Sequence, residues 1–253
     1  MHDFKPILRF VASSDIHYNR EDPSRLKNYE RGIALAYDYA ASQEYNKLDA
    51  LYVVGDFADS GSDDQFEDFR KTLDTCVRPE TKWMLTMASH EYFSEGGEEG
   101  ALERLDRIMK QKPDNHVVIN GFHFISVTTT RGCKFSDEKR EWIKKELDIA
   151  AKDDPFKPIF FFQHPHIQGT VYGNVYWGED EITDILLEYE DKIAAVFCGH
   201  YHNGHSAKIG SIPYVVFKAL CMGTATTCAV VEINDGKVII TGYGDEPSIQ
   251  INK

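Results

Sequence analysis

The chain has 253 residues, 42% of them hydrophobic and 27% charged, with a formal net charge of −13. That length can bury a substantial core as one large domain or two small ones. The acidic balance argues against a surface built to neutralise a nucleic-acid backbone or an anionic membrane, and no stretch reaches the length of a membrane span. A small phosphorylated substrate stays open to such a protein, provided bound cations invert the local field.

The segment Met1-His2-Asp3-Phe4-Lys5-Pro6 has no basic region leading into an apolar run, so no signal peptide is expected. Cys76, Cys133, Cys198, Cys221 and Cys228 are odd in number and lack metal-finger spacing. Reduced thiols in a cytoplasmic protein are therefore expected, with Cys198 in the core.

Ile7 to Ala12 reads as a first strand running into Ser13-Ser14-Asp15-Ile16-His17. A long helix follows Pro23-Ser24, with Tyr29, Ile33, Ala36, Tyr37 and Ala40 on one face at helical spacing. Leu51-Tyr52-Val53-Val54 is an uninterrupted apolar run, the mark of a strand buried on both faces, and it stops at Gly55-Asp56. Taken alone, Gly-Asp is a common turn dipeptide. The next helix starts near Ser62, where Asp63 and Asp64 suit the positive end of the helix dipole, and buries Phe66, Phe69 and Leu73.

Lys82 to Met87 is a third strand ending in Ala88-Ser89-His90-Glu91. An acidic, glycine-rich loop over Ser94 to Gly100 precedes a helix carrying Leu102, Leu105 and Met109. Asn120-Gly121 between two apolar runs is a strong hairpin signal. Ser136 is placed to cap a helix bearing Ile143, Leu147 and Ala150. Pro158 to Phe162 is another buried strand, ending at Gln163-His164. Gln168 to Gly178 reads as a loop, then comes a helix with Ile182, Ile185, Leu186 and Tyr189. Ile193 to Phe197 is a strand ending in Cys198-Gly199-His200-Tyr201-His202, and short antiparallel strands follow from Ser206. No repeat or linker interrupts the chain, so a single domain over residues 1–253 is expected.

Five apolar strands thus end in metal-ligand residue types: Asp15 and His17, Asp56, Ser89-His90, His164, then His200 and His202. Helices between strands make neighbours parallel, so these ends should share one mouth. Mixed imidazole and carboxylate donors suit Mn, Fe, Zn or Ni rather than calcium. The donors exceed what one tetrahedral ion uses, and they suit two divalent ions about 3.5–4 Å apart sharing a carboxylate.

The pattern resembles the calcineurin-like metallophosphoesterase family, whose motifs are D-x-H, G-D-x-x-D, G-N-H-[DE], a lone His and G-H-x-H. They stand here as Asp15-Ile16-His17, Gly55-Asp56-Phe57-Ala58-Asp59, Ala88-Ser89-His90-Glu91, His164 and Gly199-His200-Tyr201-His202. The resemblance covers essentially the whole chain and implies an α/β fold, a four-layer α/β/β/α sandwich of two mixed sheets. It implies that Asp15, His17 and His202 hold a first metal, that Asp56 bridges, and that His164 with His200 hold a second. His90 would act as general acid or charge stabiliser near the leaving group, and Asp59 would orient it. The implied reaction is in-line attack of a metal-bound hydroxide on a phosphate ester, by a phosphodiesterase or a phosphatase.

One departure matters. The family's Asn, a ligand of the second metal, is Ser89 here, behind Ala88 in place of Gly. A hydroxyl is shorter and a weaker donor, so Ser89 contributes a poor ligand or leaves its place to water, and a weakened second site is expected. A catalytically weak or inactive binding or regulatory module is the alternative reading. His166 is an alternative register for His164, although His164 ends the strand directly. Tyr172, Tyr176 and Trp177 offer stacking faces for a small phosphorylated substrate, and Asn19, Arg20 and Arg131 are candidate phosphate contacts.

Overall fold

The apolar run that stops at Asp56 forms β2 (Ala50–Val54), with every residue buried. Leu51 and Val53 face one core and Ala50, Tyr52 and Val54 face another, so the strand is covered on both sides. The computed structural model describes residues 4–153, 157–171, 182–223, 227–234 and 237–252. The strands before and after it are β1 (Leu8–Ser13) and β3 (Lys82–Thr86), both pairing with β2 in parallel.

The connections run through α1 (Ser24–Ala41) and α2 (Asp63–Cys76), whose buried rows hold Tyr29, Ile33, Ala36, Tyr37 and Ala40, then Phe66, Phe69 and Leu73, as their spacing requires. A short helix α3 (Gly97–Arg104) continues into a wide turn at Leu105–Met109. It starts inside the stretch expected to be loop. Ala101, Leu105 and Met109 form its buried row, which rotates Leu102 outward to 41% exposure instead of into the core.

The hairpin of β4 (Asn115–Ile119) and β5 (Phe122–Val127) turns at Asn120 and Gly121, whose φ values of 51° and 81° are the left-handed pair such a turn needs. Helix α4 (Asp137–Asp153) is capped by the Ser136 hydroxyl, which accepts the Lys139 N–H at 3.2 Å. Then come β6 (Ile159–Gln163), α5 (Thr183–Leu187) and β7 (Ile193–Cys198). A second hairpin joins β8 (Asn203–Ile209) and β9 (Ile212–Lys218). The chain then crosses back to form β10 (Cys228–Asn234), β11 (Lys237–Tyr243) and β12 (Ile249–Asn252).

Among the described residues two six-stranded sheets result, ordered β12-β11-β10-β1-β2-β3 and β4-β5-β6-β7-β9-β8. Both are mixed: β1–β3 and β5-β6-β7-β9 are parallel runs with antiparallel strands at their edges. Phe10 at the centre of the inter-sheet core meets Phe124, Phe160, Phe162 and Phe197 at centroid distances of 5.3–6.1 Å. Helices α1 and α2 cover the outer face of the first sheet, and α4 and α5 that of the second. The α/β fold class and the α/β/β/α layering expected from the sequence are what the structure has. Among the described residues no helix is long and apolar enough to cross a membrane.

Candidate metal centre

The parallel runs of the two sheets end at the same edge of the sandwich, and three of the loops there, after β1, β2 and β7, are bent by left-handed residues. Asp15 (φ 51°), His17 (φ 47°), Asp56 (φ 48°) and His200 (φ 67°) all adopt this conformation. Asp and His tolerate it better than branched residues, yet it still costs about 1–3 kcal/mol each, strain that clusters at functional sites. Backbone bonds lock the loops together: Asp15 N–H to the Gly55 carbonyl at 3.1 Å, His17 N–H to that of Asp56 at 2.9 Å, and Gly199 N–H to that of His164 at 2.8 Å.

The side chains these loops project converge. His17 Nε2 lies 3.2 Å from His202 Nε2, and Asp15 Oδ1 is 3.3 Å from His202 Nε2 and 3.6 Å from His17 Nε2. Asp56 Oδ2 is 3.1 Å from His164 Nε2 and 3.9 Å from His17 Nε2, so it stands between the two groups. Donor atoms of Asp56, His164 and His200 lie within 4.8 Å of one another, as do those of Asp15, His17 and Asp56. Two ligand atoms about 2.0–2.1 Å from one tetrahedral ion must lie roughly 3.3 Å apart, and the donor separations here run from 3.1 to 3.9 Å.

Two buried atoms of this donor cluster are left orphaned. Asp15 Oδ1 and His164 Nε2 have no hydrogen-bond partner, although both residues are fully buried. Such groups cost about 1–3 kcal/mol unless something satisfies them, and both point into the donor cluster. Their opposite sides are held: the Ser14 hydroxyl sits 2.6 Å from Asp15 Oδ2 and 2.7 Å from the Val54 carbonyl, and His200 N–H donates to Asp15 Oδ2 at 3.0 Å. His164 Nδ1 faces the same Val54 carbonyl at 2.6 Å, which fixes the proton on Nδ1 and turns Nε2 inward. The donor set therefore fits divalent cations.

Charge in the cluster is finely divided. Burial alone would raise Asp56, but the neighbouring His164 outweighs it and holds the carboxyl at about 2. Asp15 is likewise pulled well below the usual carboxylate range, burial being overcome by His164, His17 and His202. His164 resists burial because Asp56 and Asp15 flank it, and rises to about 10. His202 rises to about 10 through its contacts with Asp15 and Cys221, while burial and the His164 charge push His200 down to about 4.

His90 N–H donates to Asp56 Oδ1 at 3.0 Å, and its Nδ1 faces the Asp59 backbone carbonyl at 2.7 Å. Asp59 thus touches His90 through its carbonyl, not its carboxylate. The carboxylate instead takes Asn19 Nδ2 at 3.1 Å and lies 3.6 Å from Arg25 Nη1 and 3.7 Å from His17 Nδ1. Ser89 is half-buried beside His90 and does not cap the turn it starts. Fully buried Glu91 accepts the Ala58 and Ala88 N–H groups at 2.9 and 2.8 Å, tying the Asp56 loop to the Ser89–His90 loop. Burial and the nearby Asp56 raise its carboxyl to about 8.

Of the other candidates, His166 stacks on the His200 ring at 5.8 Å, whereas His164 is the one set against Asp56. Arg20 is engaged by Asp68 at 2.7 Å, and Arg131 covers the Phe93 ring, itself 4.6 Å from His90. Tyr172, Tyr176 and Trp177 lie outside the described residues. Two residues went unnoticed in the sequence. Arg25 donates to the His17 carbonyl at 2.6 Å from the first turn of α1, where nothing in the local pattern marks it. Cys221 forms a group with His17 and His202, its sulfur and their ring nitrogens within 4.8 Å of one another. It follows β9 rather than a strand ending in a recognisable motif, so only the fold brings it here.

Known proteins agree with this architecture. A probable glycerophosphodiester phosphodiesterase GpdQ from Arcobacter nitrofigilis is 24% identical over 172 residues, 62% of this chain. The match spans only 57% of that relative's length. A dimetal phosphatase from Danio rerio superposes with a TM-score of 0.76 over 98% of this chain and 99% of its own, at 11% identity. Purple acid phosphatase PPD1 from yellow lupin gives 0.73 over 97% of this chain and 53% of its own, at 15% identity. The family model for calcineurin-like phosphoesterases matches residues 8–204, from β1 through the loop carrying His200 and His202, and the chain belongs to that family.

Proposed function

We propose that this chain is a metal-dependent phosphoric ester hydrolase, a phosphodiesterase or phosphatase, acting on a small soluble phosphate ester. One observation carries the reading: Asp15 Oδ1 and His164 Nε2, buried and unpartnered, face a cluster of further carboxylate and imidazole donors drawn from both sheets. Asp15, His17 and His202 would hold one divalent ion, His164 and His200 a second, with Asp56 between them and Ser89 a weak or absent ligand of the second. When bound, the two ions (Mn, Fe, Zn or Ni) supply the positive charge that clamps phosphoryl oxygens and makes water acidic near neutral pH.

The rest falls to the chain itself. The Asp59 carbonyl holds the His90 Nδ1 proton, leaving Nε2 to exchange a proton with the leaving oxygen. Asp59, Asn19 and Arg25 pin the backbone and ring of His17. A single domain over the chain would carry this activity in the cytoplasm, a compartment supported by five unpaired thiols. The named activity of the Arcobacter relative makes glycerophosphodiesters the first natural esters to test.

Metal analysis together with hydrolysis of aryl phosphate mono- and diesters and of glycerophosphodiesters tests the reading. Two ions per chain are expected, with turnover abolished by Asp56→Ala and lowered about 10²–10⁴-fold by His90→Ala. The second reading, a binding module of little turnover, is favoured by Ser89. Absence of turnover with every divalent metal, not restored by Ser89→Asn, would establish it in place of the hydrolase.

A further inference from the structure

We propose that Cys221 is a metal ligand of this centre, a thiolate added to the ion held by Asp15, His17 and His202; the proposal rests on the two-metal reading above. The thiol, half-buried, stands against His202 and shares with His17 and His202 a space in which all three donor atoms lie within 4.8 Å. The second observation is independent of the cysteine. Asp15 Oδ1, fully buried and without a hydrogen-bond partner, faces the same two imidazoles, 3.3 Å from His202 Nε2 and 3.6 Å from His17 Nε2.

The backbone holds Cys221 in register with the other ligands. The turn at Leu220–Met222 follows β9, and Ala219 bridges Ser14 in the β1 loop. Leu220 N–H donates to the Ser14 carbonyl at 3.1 Å and Cys221 N–H to the Asp15 carbonyl at 3.0 Å. Ala219 N–H donates to the His202 carbonyl at 3.0 Å. The same short stretch of chain is thus bonded to the residues carrying two of the other donors, and the Cys221 backbone cannot drift from them without breaking those bonds, which leaves rotation about one side-chain bond to aim the sulfur.

A thiolate changes the chemistry of the ion it binds. Binding releases the thiol proton to solvent and adds a soft donor to two imidazoles and a carboxylate, which favours Zn(II), Co(II) or Fe(II) over Mn(II). It would also add one further negative charge to the surroundings of that ion.

The test uses the full chain loaded with Co(II), whose bond to sulfur gives a near-ultraviolet charge-transfer band that nitrogen and oxygen ligands lack. The band is expected in the wild type and in Cys133→Ser, and absent in Cys221→Ser. Zinc affinity should fall at least about 10–100-fold in Cys221→Ser, the loss that even outer-sphere partners produce. Two cobalt ions bound without the band, or the band retained in Cys221→Ser, would overturn the proposal while leaving the two-metal reading intact. Failure to bind cobalt at all would overturn both. Circular dichroism of Cys221→Ser, expected to match the wild type, separates lost coordination from lost folding.

Discussion

Gly199 offers the sharpest test of how this centre is packed. A Cβ built there would lie 1.9 Å from Ser14 Oγ, 2.6 Å from Asp15 Oδ2 and 3.0 Å from His164 Nδ1. No rotamer choice at residue 199 relieves this, because a methyl has none. Ser14 must swing away, giving up its contacts with Asp15 Oδ2 and the Val54 carbonyl. Forcing a methyl into a packed site costs about 1–3 kcal/mol, and each lost buried hydrogen bond adds about 1. Gly199→Ala should therefore destabilise the metal-free protein by about 3 kcal/mol, or roughly 6–12 °C in Tm for a chain of this size.

The displaced Asp15 and His164 should also lower metal affinity about 10–100-fold, as other disturbances of ligand orientation do. Thermal unfolding in a chelator measures the first effect and competition with a chromophoric zinc chelator the second. Removing the hydroxyl relieves the closest clash, so Ser14→Ala combined with Gly199→Ala should recover at least 1 kcal/mol relative to additivity. A Gly199→Ala protein with wild-type Tm and zinc affinity would refute the packing on which this reading of the site depends.

Ser89→Asn should raise affinity for the more weakly held ion about 10–100-fold, read by zinc titration; unchanged affinity would remove residue 89 from that ion's surroundings. Because Asp56 and Asp15 raise His164 to about 10, and Asp15 and Cys221 raise His202 to about 10, metal uptake at pH 7–8 should expel protons from both. Calorimetry in buffers of different ionisation enthalpy counts them, and uptake without proton release would contradict the network. Buried Glu246 is raised from 4.5 to about 8, so the native state binds more protons than the unfolded chain between those values and stability falls as pH rises through that window. Glu246→Gln should flatten that slope and gain up to about 5 kcal/mol at pH 8 over the wild type, measured by urea unfolding in a chelator. Fully buried Arg9 pairs with Glu232 at 2.6 Å, so Arg9→Met should cost about 3–5 kcal/mol, while Met at both positions should recover most of it in the same assay.

Much of this molecule was legible before any coordinate, and for physical reasons. β2 and β6 are apolar at every position because parallel strands inside a sandwich are buried on both faces, and α1 and α2 carry one apolar row because only one face is covered. The candidate donors at the strand ends stood out because each sits just beyond a buried run. What stayed hidden depends on contacts between distant segments. Nothing in the sequence around Arg9 marks the partners that bury it completely, Glu232 and the Tyr45 and Lys47 carbonyls. Cys221 becomes a donor only because Ala219 bridges Ser14. That Asp59 meets His90 through its carbonyl follows from backbone course alone, which no side-chain pattern encodes.

The two glycines of the strand-end motifs explain how two separate sheets can build one site. Gly55 belongs to the first sheet, and a Cβ on it would lie 2.4 Å from Nδ1 of His164 in the second. Gly199 belongs to the second sheet, and its missing Cβ makes room for Ser14 and Asp15 in the first. Each sheet thus leaves a side chain out where the other seats a candidate donor. Gly55 must also adopt φ 78°, which a larger residue resists, whereas Gly199 is chosen for space alone. The phenylalanine core sets the spacing of the sheets, the glycines let their ends close to hydrogen-bonding distance, and the left-handed Asp and His residues turn the donors inward. A buried carboxylate such as Asp56 can then reach imidazoles from both sheets, which a single open sheet with all its ligands on neighbouring strands would not allow.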